Sequence, residues 1–262
     1  CILNVRKTVL DYLDVYYRND EDKICFIFKS FTNYSIWKIG LTTLTSILDV
    51  PIDYKENEII FSIQTQTMVS FFHHLKNCID GVTKITEISF TDLPADLIEQ
   101  FTISFDGKMI EAVAICEENA RASDFVPIVA FIQKMITTEI FCKVQQLNND
   151  WLNFLLNIAE IVDIVSLTVK KETFANFKFT EFIKNMLTRK CSFLELDEKT
   201  YVFSLAEVQS LLQWIHQLEK KISLGLFTNH EASFVVHAGI YKIESMAYAQ
   251  GIAMIEIASL DY

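Results

Sequence analysis

The sequence is short of glycine and proline. It contains 6 glycines and 3 prolines among 262 residues, whereas average proteins contain roughly 7% and 5% of these residues. The glycines stand alone at positions 40, 81, 107, 225, 239 and 251. A phosphate-binding loop needs several glycines within a few residues, and the G-x-S-x-G motif of serine hydrolases is also absent. The sequence therefore excludes the common phosphate loops and this nucleophile motif.

Paired cysteines and basic clusters are missing as well. The 6 cysteines are far apart, with no C-x-x-C pair, and most lie in apolar segments, where a free thiol behaves as a small hydrophobic group. Reduced thiols are typical of the cytoplasm or the nucleus, so we expect one of these locations. The formal net charge is −11 and the only adjacent lysines are isolated doublets. We therefore expect no nucleic-acid partner, because a phosphate backbone would be repelled.

The sequence has no long apolar run. None of its apolar stretches approaches the roughly 20 residues that a membrane helix needs, so we expect no membrane partner. The first residue is Cys1 rather than Met, and residues 5–17 have the pattern of a helix that has already begun. We therefore expect the sequence to be a fragment of a longer protein.

What the sequence does contain is a helical pattern followed by a strand pattern, repeated five times. Apolar residues are three or four positions apart in each helical segment, and each strand segment alternates or is continuously apolar. The predicted pairs are 68–79 with 85–91, 125–136 with 140–146, 151–161 with 164–171, 179–187 with 191–197, and 205–218 with 222–227. Asn149 or Asp150 is the expected cap of the third helix, and Ser204 and Glu207 have the spacing of a capping box.

This order predicts an α/β fold, with α+β as the alternative. Right-handed crossovers would place the strands in a parallel sheet. The strands recur about every 25 to 30 residues, a period typical of leucine-rich-repeat solenoids. Because the strict leucine signature is absent, we expect irregular leucine-rich-repeat-like units.

Strand-rich segments flank these units. After the helix at 5–17 we predict strands at 24–31, 35–41 and 58–65, and a hairpin of 101–105 with 109–116 around Asp106-Gly107. A β meander is predicted over 233–237, 240–247 and 252–257, turning near Gln250-Gly251. The chain would thus divide into a strand-rich part, 1–120, and a repeat part closed by the meander, 121–262, within one continuous domain.

Few residues have a pattern that indicates chemistry. His74 and Cys78 are four positions apart on a predicted helix and could offer two ligands to a metal, but a second spaced pair is missing. We therefore predict no metal site and no cofactor. His216, His230 and Glu231 lie near the ends of the last units, where a concealed acid–base site would be expected if the protein were an enzyme.

The tryptophans are the candidates for recognition. Trp37, Trp151 and Trp214 each lie in or at the start of a predicted element, which favours a role as structural anchors. Large aromatic side chains that reach the surface are, however, typical energetic hot spots of protein interfaces. We therefore retain these three residues as protein-binding candidates.

The order of these segments resembles the F-box-associated region of the nematode F-box protein families. Residues 5–17 would correspond to the helix that trails the F-box and 22–41 to the first β segment. A strand–helix–strand unit over 60–88 and the helix 206–215 (AEVQSLLQWI) followed by 222–226 would correspond to its repeated units. The F-box itself and an Asp-Gly turn in the terminal meander are not present. The resemblance implies a substrate receptor, whose upstream F-box would bind the adaptor of a cullin-type ubiquitin ligase.

Three functions remain as hypotheses. The first is a protein–protein interaction module, with the substrate-binding region of a ubiquitin ligase receptor as its specific form. The second is an enzyme with a concealed acid–base site, which the missing catalytic motifs make less favoured. The third is a structural or oligomerising domain.

Overall fold

A computed structural model describes residues 8–18, 20–78, 82–117, 125–135, 137–169, 178–197, 201–218, 220–229, 234–238, 240–249 and 252–260. Contacts between Cα atoms divide the chain into two compact units, 1–138 and 139–262. We call them unit 1 and unit 2 and describe each separately. The division predicted near residue 120 stays a prediction.

Unit 1 is a mixed sheet with a layer of helices. Its elements are β1 (Thr8–Arg18), β2 (Lys23–Lys29), α1 (Tyr34–Ile47), β3 (Ile52–Lys55), β4 (Glu58–Gln64), α2 (Met68–Cys78), β5 (Val82–Thr91), α3 (Ala95–Ser104), β6 (Met109–Cys116) and α4 (Val126–Lys134). The strand order is β6-β5-β1-β2-β4-β3. β6, β5 and β1 are parallel, whereas β1, β2, β4 and β3 are antiparallel.

Aromatic rings join the helices of unit 1 to its sheet. Each helix places one ring against a phenylalanine of a strand, so that buried aromatic side chains of unit 1 connect its helices to its sheet. The ring pairs and the distances between their centroids are Trp37–Phe28, 5.7 Å; Phe71–Phe26, 4.6 Å; Phe101–Phe90, 5.3 Å; and Phe131–Phe90, 5.3 Å. Offset and tilted ring pairs at such distances stabilise a core beyond the area that they bury.

The helix predicted at 5–17 is wrong, because these residues contain strand β1. Leu10 and Leu13 are both buried, and their spacing of three imitates a helix. The same spacing occurs opposite them, at Ile85 and Ile88 of β5. The buried spacing of three is therefore repeated on the neighbouring strand, which the sequence of β1 alone does not reveal.

The strand predicted at 35–41 is also wrong, because these residues belong to helix α1. Its buried residues Trp37, Leu41 and Leu44 have helical spacing. Thr42 and Thr45 are poor helix formers, but their hydroxyls donate to the carbonyls of Lys38 and Leu41, one turn earlier. The helix thus tolerates residues that suggested a strand.

The hairpin predicted around Asp106-Gly107 does not form. Residues 101–104 end helix α3, which begins after Pro94. Gly107 has a φ of +74°, a conformation that glycine adopts without strain and that commonly ends a helix. The Asp-Gly pair therefore joins a helix to β6 instead of joining two strands.

Unit 2 consists of repeated strand–helix units followed by a meander. Its elements are β7 (Glu139–Val144), α5 (Asn149–Ile158), β8 (Ile164–Val169), α6 (Phe179–Leu187), β9 (Phe193–Leu196), β10 (Val202–Phe203), α7 (Leu205–Ile215), β11 (Ser223–Thr228), β12 (Phe234–Ala238), β13 (Tyr241–Ala249) and β14 (Ile252–Ser259). The strand order is β7-β8-β9-β11-β14-β13-β12, and β10 also pairs with β11. The predicted α/β class, the units and the terminal meander are confirmed, while Gln250-Gly251 lie outside the described residues.

The first four strands of this order are parallel and follow one another in sequence. Glu139 lies opposite Ile164, Ile164 opposite Phe193, and Phe193 opposite Ser223, which agrees with a period of about 25 to 30 residues. Helices α5, α6 and α7 pack neighbour against neighbour and α6 packs on β9. The helices therefore form a layer on one face of the sheet.

The helix starts follow the sequence in detail. Asn148, one residue earlier than predicted, caps α5 by accepting a hydrogen bond from the Trp151 amide at 2.9 Å. The capping box of α7 is confirmed: the Ser204 amide donates to Glu207 Oε2 at 2.9 Å, and the Glu207 amide donates to Ser204 Oγ.

Two lysines join successive strand–helix repeats of unit 2. Lys190 Nζ donates to the Ile161 carbonyl, 29 residues earlier, in the turn after α5. Lys220 Nζ donates to the carbonyls of Leu187 and Cys191 at 2.9 and 2.7 Å, in the turn after α6. Carbonyls at a helix C-terminus lack partners within the helix, so each lysine satisfies groups that the preceding helix leaves open.

Candidate interaction surfaces

The sheet of unit 2 has one face under the helices and one open face. In β8, Val165, Leu167 and Val169 are buried, whereas the alternate residues Ile164 and Ser166 are partly exposed. The same alternation occurs in β7, β9 and β14. Because successive side chains of a strand point to opposite faces, the partly exposed residues share one face, which we call the open face of unit 2.

Strand pairing arranges this face in rows that run across the strands. The middle row is Phe141, Ser166, Glu195, Gly225, Glu256, Glu244 and Val235. The row on one side is Glu139, Ile164, Phe193, Ser223, Ala258, Lys242 and His237. On the other side, Phe227 lies next to Met254 and Met246. Residues from widely separated parts of the sequence thus form one surface.

Large apolar side chains of this face are accessible to solvent. The exposed fraction is 36% for Phe141, 44% for Met246 and 54% for Val235. No described helix of unit 2 covers these residues. Val235 and Met246 lie on the neighbouring strands β12 and β13, and Phe141 lies on β7 at the other end of this strand order. Exposed apolar area on a sheet face is a feature of interaction sites.

The charges of the face are predominantly negative. Among the described residues of the face, Glu139, Glu195, Asp197, Glu244 and Glu256 supply carboxylates, and the lysines are Lys143 and Lys242. Lys242 is already paired with Glu244. Within the described part of the chain, no lysine or arginine forms an ion pair with Glu195 or Glu256, and Ser166 Oγ lies 3.5 Å from Glu195 Oε2.

The corresponding face of unit 1 contains tyrosines and paired charges. Lys29 Nζ lies 3.1 Å from Glu58 Oε1 across β2 and β4, and Lys23 Nζ lies 2.7 Å from Glu21. Tyr12 lies on the same face near Asp14 and Ser89. Burial, reinforced by the negative charge of Asp14, raises the pKa of Tyr12 to about 12, although a hydrogen bond with Ser89 opposes the rise.

Unit 1 also contains a cleft of about 620 Å³ next to β3 and β4. Apolar residues around Pro51 form one wall, and Arg18, Glu21 and Lys23 form another. Glu21 pairs with both cations, at 3.0 Å from Arg18 and 2.7 Å from Lys23. The residues that line the cleft include no histidine or cysteine, so the cleft offers space without a thiol or a histidine base.

The tryptophan candidates differ in accessibility. Trp37 is 5% exposed and Trp151 is 1% exposed, so both are core residues. Trp214 is half-buried on α7, away from the open sheet face. The structure does not bring the three tryptophans together into one patch.

The titratable candidates are also scattered or not described. His216 is exposed at the C-terminal end of α7, whereas His230 and Glu231 lie outside the described residues. His74 is half-buried on α2, and the side chain of Cys78 lies outside the described ones. The acid–base hypothesis for His216, His230 and Glu231 therefore stays a prediction.

Two further properties of the described residues bear on function. These residues contain no group of three or more histidine, cysteine, aspartate or glutamate side chains arranged to hold a metal ion. None of their helices combines the length and the apolar character needed to cross a bilayer.

The open face of unit 2 was not singled out from the sequence. Its signal was present in the alternation of β8, β9 and β14, which identifies the side chains that point away from the core. What the sequence lacks is the register between strands, and without it Glu195, Gly225 and Glu256 cannot be placed side by side.

Comparison with known proteins adds no family. The chain matches no protein-family model, no curated protein and no solved structure.

Proposed function

We propose that this protein is a protein–protein interaction module and that the open face of unit 2 binds its partner. The observation that carries the proposal is the exposure of Phe141, Met246 and Val235 on one sheet face. Removing such apolar area from water contributes roughly 25 cal/mol per Å², so a partner that covers this face gains binding energy.

A more specific form of the proposal is the substrate-binding region of a cullin-type ubiquitin ligase receptor. Its support is the order of elements, with sequential parallel strands, a helix layer and a terminal meander, which resembles the F-box-associated region. In this form an upstream F-box recruits the adaptor, and the open face holds the protein that is to be modified.

The test is quantitative affinity purification of the full-length natural protein with three variants. The face variant carries Phe141→Ser, Val235→Ser and Met246→Ser. The control variant carries Leu205→Ser, Ile240→Ser and Leu260→Ser, which are exposed apolar residues of unit 2 outside the open face. The same proteins should co-purify with the wild type and the control and be lost from the face variant.

Each result decides a different part of the proposal. Equal recovery of partners with the face variant would exclude the open face as the binding surface. Recovery of a ligase adaptor and a cullin would support the receptor form, and their absence beside other specific partners would remove it. A molecular mass that rises with concentration, without other partners, would favour an oligomerising domain instead.

A further inference from the structure

The centre of the open face of unit 2 has a gap between two carboxylates. Gly225 of β11 lies opposite Glu195 of β9 on one side and opposite Glu256 of β14 on the other. Adjacent strands are about 4.8 Å apart, so the two glutamates flank the glycine with roughly 9.6 Å between their strands. The position between them has no side chain.

Gly225 is itself buried, because neighbouring side chains cover its backbone. A Cβ atom at residue 225 would lie 3.4 Å from Glu195 Cγ and 3.7 Å from Met254 Cε. Phe227 lies two residues further along β11, next to Met254. The gap is therefore bounded by carboxylates across the strands and by apolar groups along one side.

The two carboxylates share little positive charge within the described part of the chain. Glu195 has the Ser166 hydroxyl near it, at 3.5 Å. Lys242 of the neighbouring row is paired with Glu244 and also attracted to Glu256. Carboxylates on a partly buried surface are best satisfied by a cation that also hydrogen-bonds. One lysine, Lys242, serves both Glu244 and Glu256 and no described lysine or arginine pairs with Glu195, so a cation from a partner would add to the binding of this face.

Arginine fits this position better than other side chains. Its planar guanidinium donates to carboxylates on two sides, and its aliphatic stem packs against apolar groups such as Met254 and Phe227. Apolar neighbours of the arginine would cover Phe141 and Met246. Given the proposed function, we infer that the partner of this face is a basic, apolar segment that places an arginine over Gly225, between Glu195 and Glu256.

The test uses synthetic peptides as probes and methionine methyl groups as reporters. The probes are the capped pentapeptides Leu-Arg-Leu-Arg-Leu and Leu-Glu-Leu-Glu-Leu, titrated into protein with ¹³C-labelled methionine methyls. The arginine peptide should shift the Met254 signal with an affinity of about 1 mM or tighter, and the glutamate peptide should not. Met68, Met135 and Met186, which are buried, serve as internal controls.

Variants separate the charge effect from other contacts. Glu195→Gln with Glu256→Gln should weaken binding of the arginine peptide at least about tenfold. Glu160→Gln with Glu181→Gln removes the same charge from exposed positions outside the open face and should leave binding unchanged. Gly225→Ala, which fills the gap with one methyl group in ordinary contact, should also weaken it.

The outcomes distinguish this inference from the function on which it rests. An arginine peptide that leaves Met254 unshifted, or that binds the Glu195→Gln, Glu256→Gln variant as well as the wild type, would overturn the inference. The interaction module would survive that result if the face variant still loses its partners in affinity purification. If the face variant keeps its partners, the proposed function fails by its own test.

Discussion

Units 1 and 2 have the same architecture, a helix layer on one face of a mixed sheet, but opposite chemistry on the open face. In unit 1, lysines and glutamates pair across strands, as in Lys29–Glu58. In unit 2, Glu195 and Glu256 flank a glycine, and a single lysine, Lys242, is shared between Glu244 and Glu256. A face with paired charges is already satisfied in the free protein, whereas the face of unit 2 leaves charges for a partner to satisfy.

The cores differ as well. Unit 1 depends on a cluster of phenylalanine rings, exemplified by Phe26 with Phe71 and Phe90 with Phe101. Unit 2 has a mainly aliphatic core with regular spacing, and lysines connect its successive turns. Its regularity therefore depends on polar contacts at the helix ends in addition to apolar packing.

The strongest test of this difference is Lys220→Met. Its ammonium donates to several carbonyls after α6, including those of Leu187 and Cys191. Methionine keeps the apolar stem but leaves these acceptors without a donor, so we expect the free energy of unfolding to fall by about 2–3 kcal/mol. Urea unfolding measures the loss, and hydrogen exchange should place it in the turn after α6.

The control for this prediction is Lys178→Met, at an exposed position before α6. It removes the same charge without removing a contact between successive repeats of unit 2. The free energy of unfolding should therefore change by less than about 0.5 kcal/mol. Equal losses in both variants would show that the lysine bridge does not stabilise unit 2.

The regular part of the fold could be predicted because each segment carries its own signal. Helix α6 has buried residues at helical spacing, from Phe179 and Phe182 to Met186, and β8 alternates. In unit 1 the local signal is misleading. The buried residues Leu10 and Leu13 of β1 are three positions apart and pair with Ile85 and Ile88 of β5, and in α1 the hydroxyl of Thr45 donates to a carbonyl within the helix.

The candidate surface was less predictable than the fold. The alternation of apolar and polar residues along a strand tells which side chains point away from the core. The register between strands decides which of these side chains become neighbours. The tryptophans were expected to be structural anchors and were retained as interface candidates, and Trp37 packs on Phe28 inside unit 1. Large aromatics contribute most by burial, so residue type alone favours the core over the surface.

A second test uses the tyrosine on the open face of unit 1. The pKa of Tyr12 is raised to about 12, mainly by burial, whereas an unfolded chain has a tyrosine pKa of about 10. The folded state favours the neutral phenol. The contribution of Tyr12 to the free energy of unfolding is therefore complete below pH 10 and is lost as the pH rises from about 10 to 12. Wild type should therefore lose stability more steeply over this range than Tyr12→Phe does.

The size of this effect is limited by solvent. Two pKa units correspond to about 2.7 kcal/mol, and screening of a half-buried ring reduces the expected difference to roughly 1 kcal/mol. Urea unfolding at pH 9 and pH 11.5 measures it. Parallel pH profiles for the two proteins would mean that Tyr12 does not titrate differently in the folded and unfolded states.

The smallest effect should come from giving the open face of unit 2 the charge pairing of unit 1. Ser166 lies directly opposite Glu195 on the neighbouring strand, so Ser166→Lys places an ammonium beside that carboxylate. A cross-strand ion pair contributes about 0.2–1 kcal/mol, and Ser166→Met supplies a stem of similar length without the charge. The lysine variant should be the more stable of the two at low salt and lose this advantage at about 1 M salt, where the Debye length is about 3 Å. If partner binding also depends on the carboxylates of this face, Ser166→Lys should weaken binding and Ser166→Met should not. A Ser166→Lys variant that gains stability and still binds its partner fully would show that the charge of the face is not needed for binding.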